Sequence, residues 1–440
     1  MLKSGFIPRR QPNIKVGIVM PEDQIKSLTL DIPSTPAYIL KSGRQKSTLA
    51  PLSQISVTLM DNFIQLKISD NVEPVEKIII SPQNYKQQLN PGQGIKIHSV
   101  LAGRGFHWQK KIDVFLPGKL IIQKYNNVLI LINELYLEHY VMCVATSEMS
   151  AACPMAFMEA QTIAARSWLL AGHEHKHAAL GMDVCNDDCC QRYQGTTFLS
   201  SQSIEGGMNT FGKVLIYKGK ICDARYSKNC GGIAESFENV WPGEKHDYLP
   251  VQPDSSIPPG KNISTEKEFY NWLHETPRAF CSPHFLPQKN IHKYLGGVDE
   301  QGNYFRWEKR LSDQEIKDAL NKYAGLKIEK LTGFKVLRRG GSGRINILNI
   351  DYKDQNQKNR SFTIESEYKI RRFLSDSFLL SSAIIIVHDE ARDNYIIKGA
   401  GWGHGVGLCQ MGALGMALNG YNADQIVHHY FPGSLPEKIY

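Results

Sequence analysis

The 440-residue sequence contains no run approaching the roughly eighteen consecutive apolar residues of a membrane-spanning helix. Paired Cys-x2-Cys spacing, a long basic arm and aromatic-basic repeats are also missing, which removes nucleic acid from the expected partners. No internal repeat or low-complexity tract is present, so a solenoid and a disordered linker protein are excluded. The opening residues do not form a secretory leader. Pro8, Arg9, Arg10 and Pro12 interrupt them, and Ile14 to Met20 is too short and reads as a first strand. What is there is a globular composition, 42% hydrophobic and 21% charged, in a chain longer than one hydrophobic core normally serves. The 51 Lys and Arg exceed the 43 Asp and Glu without clustering, which suits either an anionic polymer or an ordinary solvated surface.

Residues 14 to 130 read as about ten short strands, among them IKVGIVM, SLTLDI, SQISVTLM and KIIISP, bounded by Pro, Gly, Asp and Asn. The texture changes near Tyr136. From Cys153 to His173 the sequence predicts a largely buried helix, with Pro154 in its first turn and Gly172 as its stop. Pro250 to Gly260 reads as a linker or surface loop. TEKEFYNWLHET and SDQEIKDALNKYAG read as helices, the second capped by Ser312 and stopped by Gly325, and FKVLRRGGSGRINILNIDY reads as a hairpin. The expected fold class is α+β: a β-rich, two-lobed protein with a central buried helix and an active-site cleft between lobes. The expected division is a β-rich N-terminal lobe over 1–130, a catalytic core over 131–250, an α/β insertion or second lobe over 251–395, and a glycine-rich groove segment over 396–440 that returns to the core.

Three segments hold polar groups that packing alone does not demand. Glu148, in ATSEMS between an expected buried strand and the Cys153 helix, would have its pKa raised by desolvation, as a general acid requires. It would equally serve as a helix cap. On the helix, Arg166 follows two alanines; such an arginine orients a carboxylate or substrate, or forms an internal ion pair. The second segment carries His173, His175, His177, Asp183, Cys185, Cys189 and Cys190, whose thiolates and imidazoles suit a four-coordinate zinc, or else buried or disulfide-linked cysteines. The other six cysteines are scattered and read as small buried hydrophobes. The third segment, GAGWGHGVG from Gly399, places five glycines in nine positions around Trp402 and His404. An aromatic ring beside a histidine suits a sugar; a tight structural turn is the alternative.

Taken together, ELYLEHYVMCVATSEM, QTIAAR, DVCNDDCCQRYQG, ARYSKNCGGIAESFENVW, GWGHGVGLCQMGALGMA and HHYFPG resemble, in order, the motifs of the SpoIID/LytB family. The resemblance runs from about Ile14 to Gly433. It implies a lytic transglycosylase acting on peptidoglycan, with peptide-stripped strands as the preferred substrate. Glu148 would be its acid and base, Arg166 its second important residue, and Tyr248 its tyrosine. Trp402, His404, Gln410, Gln161 and Tyr226, which lie in the shared motifs, would bind substrate. The resemblance also implies a structural zinc on Cys185 and Cys190 with Cys189 or His177, and no cofactor for catalysis. Departures from the pattern are Thr146 and Ser150 in place of prolines, Lys228-Asn229-Cys230 in place of a serine-rich turn, and Cys189 where some members have histidine.

With one dominant carboxylate, the implied chemistry is non-hydrolytic, since hydrolysis ordinarily uses two. Glu148 would protonate the oxygen between N-acetylmuramic acid and N-acetylglucosamine and then take the proton of the muramyl C6 hydroxyl, leaving a 1,6-anhydro end. Two other classes compete: a non-catalytic glycan-binding or amidase-modulating protein, and a zinc hydrolase built on the cysteine segment and His177. The expected partners are glycan strands and a cell-wall amidase. The expected location is the cell envelope, reached by a leader or anchor outside these residues.

Overall fold

The computed structural model describes residue 2 and residues 5–85, 88–106, 108–172, 174–256, 263–296, 303–392 and 394–440. It has a mixed α+β fold. Twelve strands, rather than about ten, lie between Asn13 and Tyr136. Those with one solvated face alternate as expected: Ser27–Asp31 buries Leu28 and Leu30, and Gln54–Leu59 buries Ile55 and Val57. Val128–Tyr136 instead carries the continuous apolar run VLILI and is buried on both faces. It is an interior strand of a seven-stranded sheet, between Asn13–Val19 and Lys119–Tyr125. Asn13–Val19 in turn pairs in parallel with the short strand Val184–Cys185, which fixes the cysteine segment to this sheet. A six-stranded sheet shares the same apolar core, joining Leu30, Ile55 and Val57 to Ile14, Val16 and Leu131.

The run before Glu148 is a helix, not a strand. Helix α1 spans Leu137–Glu148 and every one of its residues is buried. A short apolar run without periodic contrast cannot separate a buried strand from a buried helix; here neighbours enclose the helix on all sides. Helix α2 spans Met155–Ala171, with Pro154 at its N-cap and Gly172 ending it in the left-handed region at φ 60°. It packs on α1, on Ser201–Asn209 and on the C-terminal helices Gln410–Leu418 and Ala423–Tyr430. Gly206 and Gly207 let the Ser201–Asn209 helix press onto Met158 and Met142.

Beyond residue 260, helices form at Glu266–His274 and at Asp313–Ala324, the latter with a capping box from Ser312 and a stop at Gly325. Strands Ile328–Arg339 and Ile345–Asp354 form the expected hairpin. The expected loop over 250–260 is partly strand, Gln252–Pro253 pairing with Ile233–Ala234; residues 257–260 and His173 lie outside the described residues. No helix among the described residues is long and apolar enough to cross a membrane.

The chain then returns to α2 through the glycine-rich segment. Leu408–Cys409 pairs in parallel with Tyr226–Ser227, and bridges join Asn229 to Trp402 and Glu235 to Val406. Gly405 and Gly407 both have φ near 75°, at 77° and 71°. A β-carbon at Gly405 would strike the Arg344 guanidinium, and one at Gly407 the carbonyl oxygen of Arg225. Gly407 therefore lets backbone lie directly on backbone, and Gly405 makes room for the Arg344 side chain.

Candidate active site around Glu148

Glu148 is the last residue of α1, and its carboxylate is held by three different elements. The backbone N–H of Arg192 donates to Oε1 at 3.0 Å, the Tyr226 hydroxyl approaches Oε1 at 3.2 Å, and Gln410 Nε2 donates to Oε2 at 3.3 Å. Gln410 also reaches Gln161 Oε1 on α2 at 3.4 Å. Lys228 donates to the Glu148 carbonyl at 2.7 Å, a cation at the helix C-terminus where the peptide dipoles favour one. Burial raises the Glu148 pKa; the charges of Arg192 and Lys228 oppose that shift, and the nearby Asp188 adds to it. A carboxyl so placed holds its proton above the ordinary carboxylate range.

The carboxyl lines a cavity of about 500 Å³ whose wall includes Phe106, Arg192, Tyr226, Lys228, Trp241, Trp402, His404 and Gln410. The Arg192 guanidinium lies 4.2 Å from the centre of the Trp108 ring and 5.6 Å from that of Trp402. Arg225 lies 4.2 Å over Trp241 and pairs with Glu174 and Asp223. The His404 ring packs against Trp241 at 4.7 Å, and its Nδ1 accepts the Val406 N–H at 3.0 Å. With Nδ1 accepting, the proton of the neutral ring sits on Nε2. Burial, with Arg225, Arg344 and Arg371 nearby, pushes the His404 pKa well down.

The structure thus brings together Glu148, Tyr226, Gln161, Gln410, Trp402 and His404. It does not bring Arg166 or Tyr248 to them. Arg166 makes a two-pronged pair with Glu138, Nε at 2.9 Å and Nη2 at 2.6 Å, and its Nη1 donates to the Lys213 carbonyl. Glu138 lies in the first turn of α1 and Glu148 closes it, about 15 Å apart at 1.5 Å per residue. Arg166 therefore cannot orient the Glu148 carboxylate directly. The Tyr248 hydroxyl accepts the Asp223 N–H at 3.1 Å, behind Arg225 and away from the cavity wall. The tyrosine that touches the carboxylate is Tyr226.

The sequence alone assigns no site role to Arg192, Lys228, Arg225 or Trp241, although they lie in DVCNDDCCQRYQG and ARYSKNCGGIAESFENVW. Their signal was a charged or aromatic residue within a shared motif, which identifies a position without saying what it faces.

Beside the cavity, His177, Cys185, Cys189 and Cys190 place one donor atom each within 4.8 Å of all the others. Cys185 and Cys189 sulfurs are 3.0 Å apart, Cys189 and Cys190 3.9 Å, and His177 Nε2 is 3.5 Å from Cys189. Adjacent Cys189 and Cys190 converge, so neighbouring positions do not prevent joint ligation. Four protein donors fit a closed metal site and leave no open position for a metal-bound water, which disfavours a zinc hydrolase.

Residues 125–217 match the stage II sporulation protein family SpoIID, and residues 235–407 match a domain of unknown function, DUF8618. The chain is a SpoIID-domain protein. Its SpoIID segment carries Glu148, α1, α2 and the cysteine cluster, whereas Lys228, Trp402 and Gln410 are supplied from outside it. Over 320 residues the SpoIID-domain chain is 28% identical to an uncharacterized protein of Brachyspira hyodysenteriae, covering 72% of this chain and 70% of that one. It is 24% identical over 299 residues to the amidase enhancer of Bacillus subtilis, covering 66% of this chain but 39% of the enhancer. Stage II sporulation protein D of Bacillus subtilis is 23% identical over 312 residues, 68% of this chain and 73% of that protein. The relationship to sporulation protein D and the amidase enhancer is a distant one.

Proposed function

We propose that this protein binds peptidoglycan glycan strands in the cavity beside Glu148 and acts together with a cell-wall amidase. The observation that carries the reading is the cavity wall. Trp402, Trp241 and Phe106 line it together with Arg192, Arg225 and Lys228, a composition suited to sugar rings bearing hydroxyl, amide and carboxylate groups. The distant relationship to the amidase enhancer supports the amidase partnership. The two-lobed arrangement with this cavity as its cleft, the division at about residues 130, 250 and 395, and a cell-envelope location belong to the same proposal.

Glu148 itself favours a second reading, lytic transglycosylation of the bond between N-acetylmuramic acid and N-acetylglucosamine. Its raised pKa supplies the acid that protonates the leaving glycosidic oxygen. The carboxylate so formed would be stabilised by the Arg192 N–H and the Tyr226 hydroxyl until it takes the C6 hydroxyl proton during 1,6-anhydro ring closure. The proton balance closes on Glu148 and no water is consumed. Arg166 enters as a positioning residue for α1, and Tyr248 as a support behind Arg225. A zinc on His177, Cys185, Cys189 and Cys190 would fasten the loop that presents Arg192.

Incubating the purified protein with peptide-stripped glycan, with and without an amidase, separates the readings. Glycan retention and amidase stimulation without new ends support binding and modulation. Anhydro-muramyl ends, one water lighter than hydrolytic ends, support cleavage. Neither retention nor ends would overturn both.

A further inference from the structure

Three of the scattered cysteines are not isolated hydrophobes. Cys230, Cys281 and Cys409, far apart in sequence, converge with Asp254 in a fully enclosed cluster, and their donor atoms all lie within 4.8 Å of one another. Asp254 is 1% exposed, and its only ion-pair contact among the described residues is His429 Nε2, 3.9 Å away. A carboxylate in such a place needs a compensating cation or a retained proton.

We infer that Cys230, Asp254, Cys281 and Cys409 form a second metal site, a buried structural zinc site that shares no residue with the His177 cluster. The Cys230 and Cys281 sulfurs are 3.7 Å apart. Two thiolates on a tetrahedral zinc with bonds of about 2.3 Å are separated by about 3.8 Å. The remaining lone pairs are met as metal-bound thiolates require. Gly232 N–H donates to Cys230 Sγ at 3.4 Å; Cys230 N–H and Gly412 N–H donate to Cys409 Sγ at 3.2 and 3.3 Å. Cys409 is also the N-cap of the Gln410–Leu418 helix, where the peptide dipoles favour a thiolate. Asp254 is oriented by the Cys281 N–H at 2.9 Å and the Tyr430 hydroxyl at 2.6 Å, the outer hydrogen bonds of a fixed carboxylate ligand. Arg306, which donates to the Gly231 carbonyl at 2.9 Å, adds positive charge beside the thiolates.

Such an ion would tie the turn after Tyr226–Ser227 to the start of the Gln410–Leu418 helix. Tyr226 and Lys228 flank the first segment, Gln410 begins the second, and Trp402 is bridged to Asn229, so the metal would brace one wall of the cavity without touching its contents.

The test uses the full chain carrying Cys185→Ser and Cys189→Ser, which disables the His177 cluster, purified reduced with zinc supplied. Elemental analysis with native mass spectrometry is expected to give one zinc per chain, lost when Cys281→Ser is added. X-ray absorption on the same protein is expected to show three sulfur neighbours at about 2.3 Å and one lighter ligand; this reading stands even where the Cys281 variant does not fold. Absence of zinc from the folded Cys185→Ser/Cys189→Ser protein, or peptide mapping that finds Cys230 and Cys281 joined as a disulfide, would overturn the inference.

Discussion

Tyr226 and Glu148 meet across the cavity wall with the phenol oxygen 3.2 Å from Oε1. The hydroxyl can donate to a carboxylate or accept from a carboxylic acid, so one contact serves both protonation states. Tyr226→Phe is therefore expected to lower any anhydro-end formation by about tenfold, on the scale of one hydrogen bond to a charged group. Tyr248→Phe, whose hydroxyl reaches the Asp223 N–H and not Glu148, should lower it far less. Equal losses in the two variants would remove Tyr226 from the reaction.

Glu148→Gln should reduce formation of anhydro ends by at least about 100-fold, the usual contribution of a positioned general acid. Glycan retention should survive. Amide flips of Gln410 and Gln161 can restore pairing around the new side chain, since Gln161 Nε2 has no partner at present. Cleavage at the original rate by a folded variant would sink the acid–base role.

The raised pKa of Glu148 also fixes the sign of a stability effect. The folded state binds this proton more tightly than the unfolded chain, whose value lies near 4.5. The stabilisation is complete below that value and disappears as pH rises through the folded pKa. Glu148→Gln should therefore raise Tm at neutral pH and lose that advantage on acidification below 4.5. Cleavage should likewise fall on the alkaline side of the folded pKa, as the acid loses its proton. A neutral-pH Tm below that of the parent protein would contradict this.

Arg166→Ala is expected to cost about 3–5 kcal/mol, because Glu138 would be left as an uncompensated buried charge. Both side chains are almost completely enclosed, at 0% and 2% exposure. Arg166→Met with Glu138→Leu should recover most of the loss. Denaturant unfolding measures the cost, and product formation per folded molecule tests the positioning role. Full stability with lost chemistry would return Arg166 to the reacting groups.

The proposed zinc on the His177 cluster predicts that Cys185→Ser lowers Tm and zinc content together. The Glu148 pH profile should shift but persist, because the loosened loop carries Arg192 and Asp188, which act on that carboxyl. A profile that vanishes while the fold persists would point to metal chemistry.

How much of this was legible before the structure depends on the kind of signal. Alternating strands and the capped helix Asp313–Ala324 were readable because their patterns are local. Helix α1 was not, since VMCVA is apolar on every face and offers no period. Glu148, Tyr226 and Gln410 fell in recognisable motifs, yet their mutual contacts join residues from three distant parts of the chain. Arg166 shows the opposite failure. Its motif is recognisable in the sequence, but nothing in QTIAAR tells that its partner is Glu138 rather than Glu148.

The parallel pairing of Tyr226–Ser227 with Leu408–Cys409 has a consequence for the order of assembly. Everything from Lys228 to Gly407 intervenes, including the segment that matches DUF8618. The cavity wall therefore cannot close while that excursion is still unfolded, and contacts of such high sequence separation form slowly. The SpoIID segment can present Glu148 early, but the carboxyl meets Gln410 only once the chain has come back. The region between would act as a folding checkpoint, withholding a finished site from any molecule whose middle has not condensed.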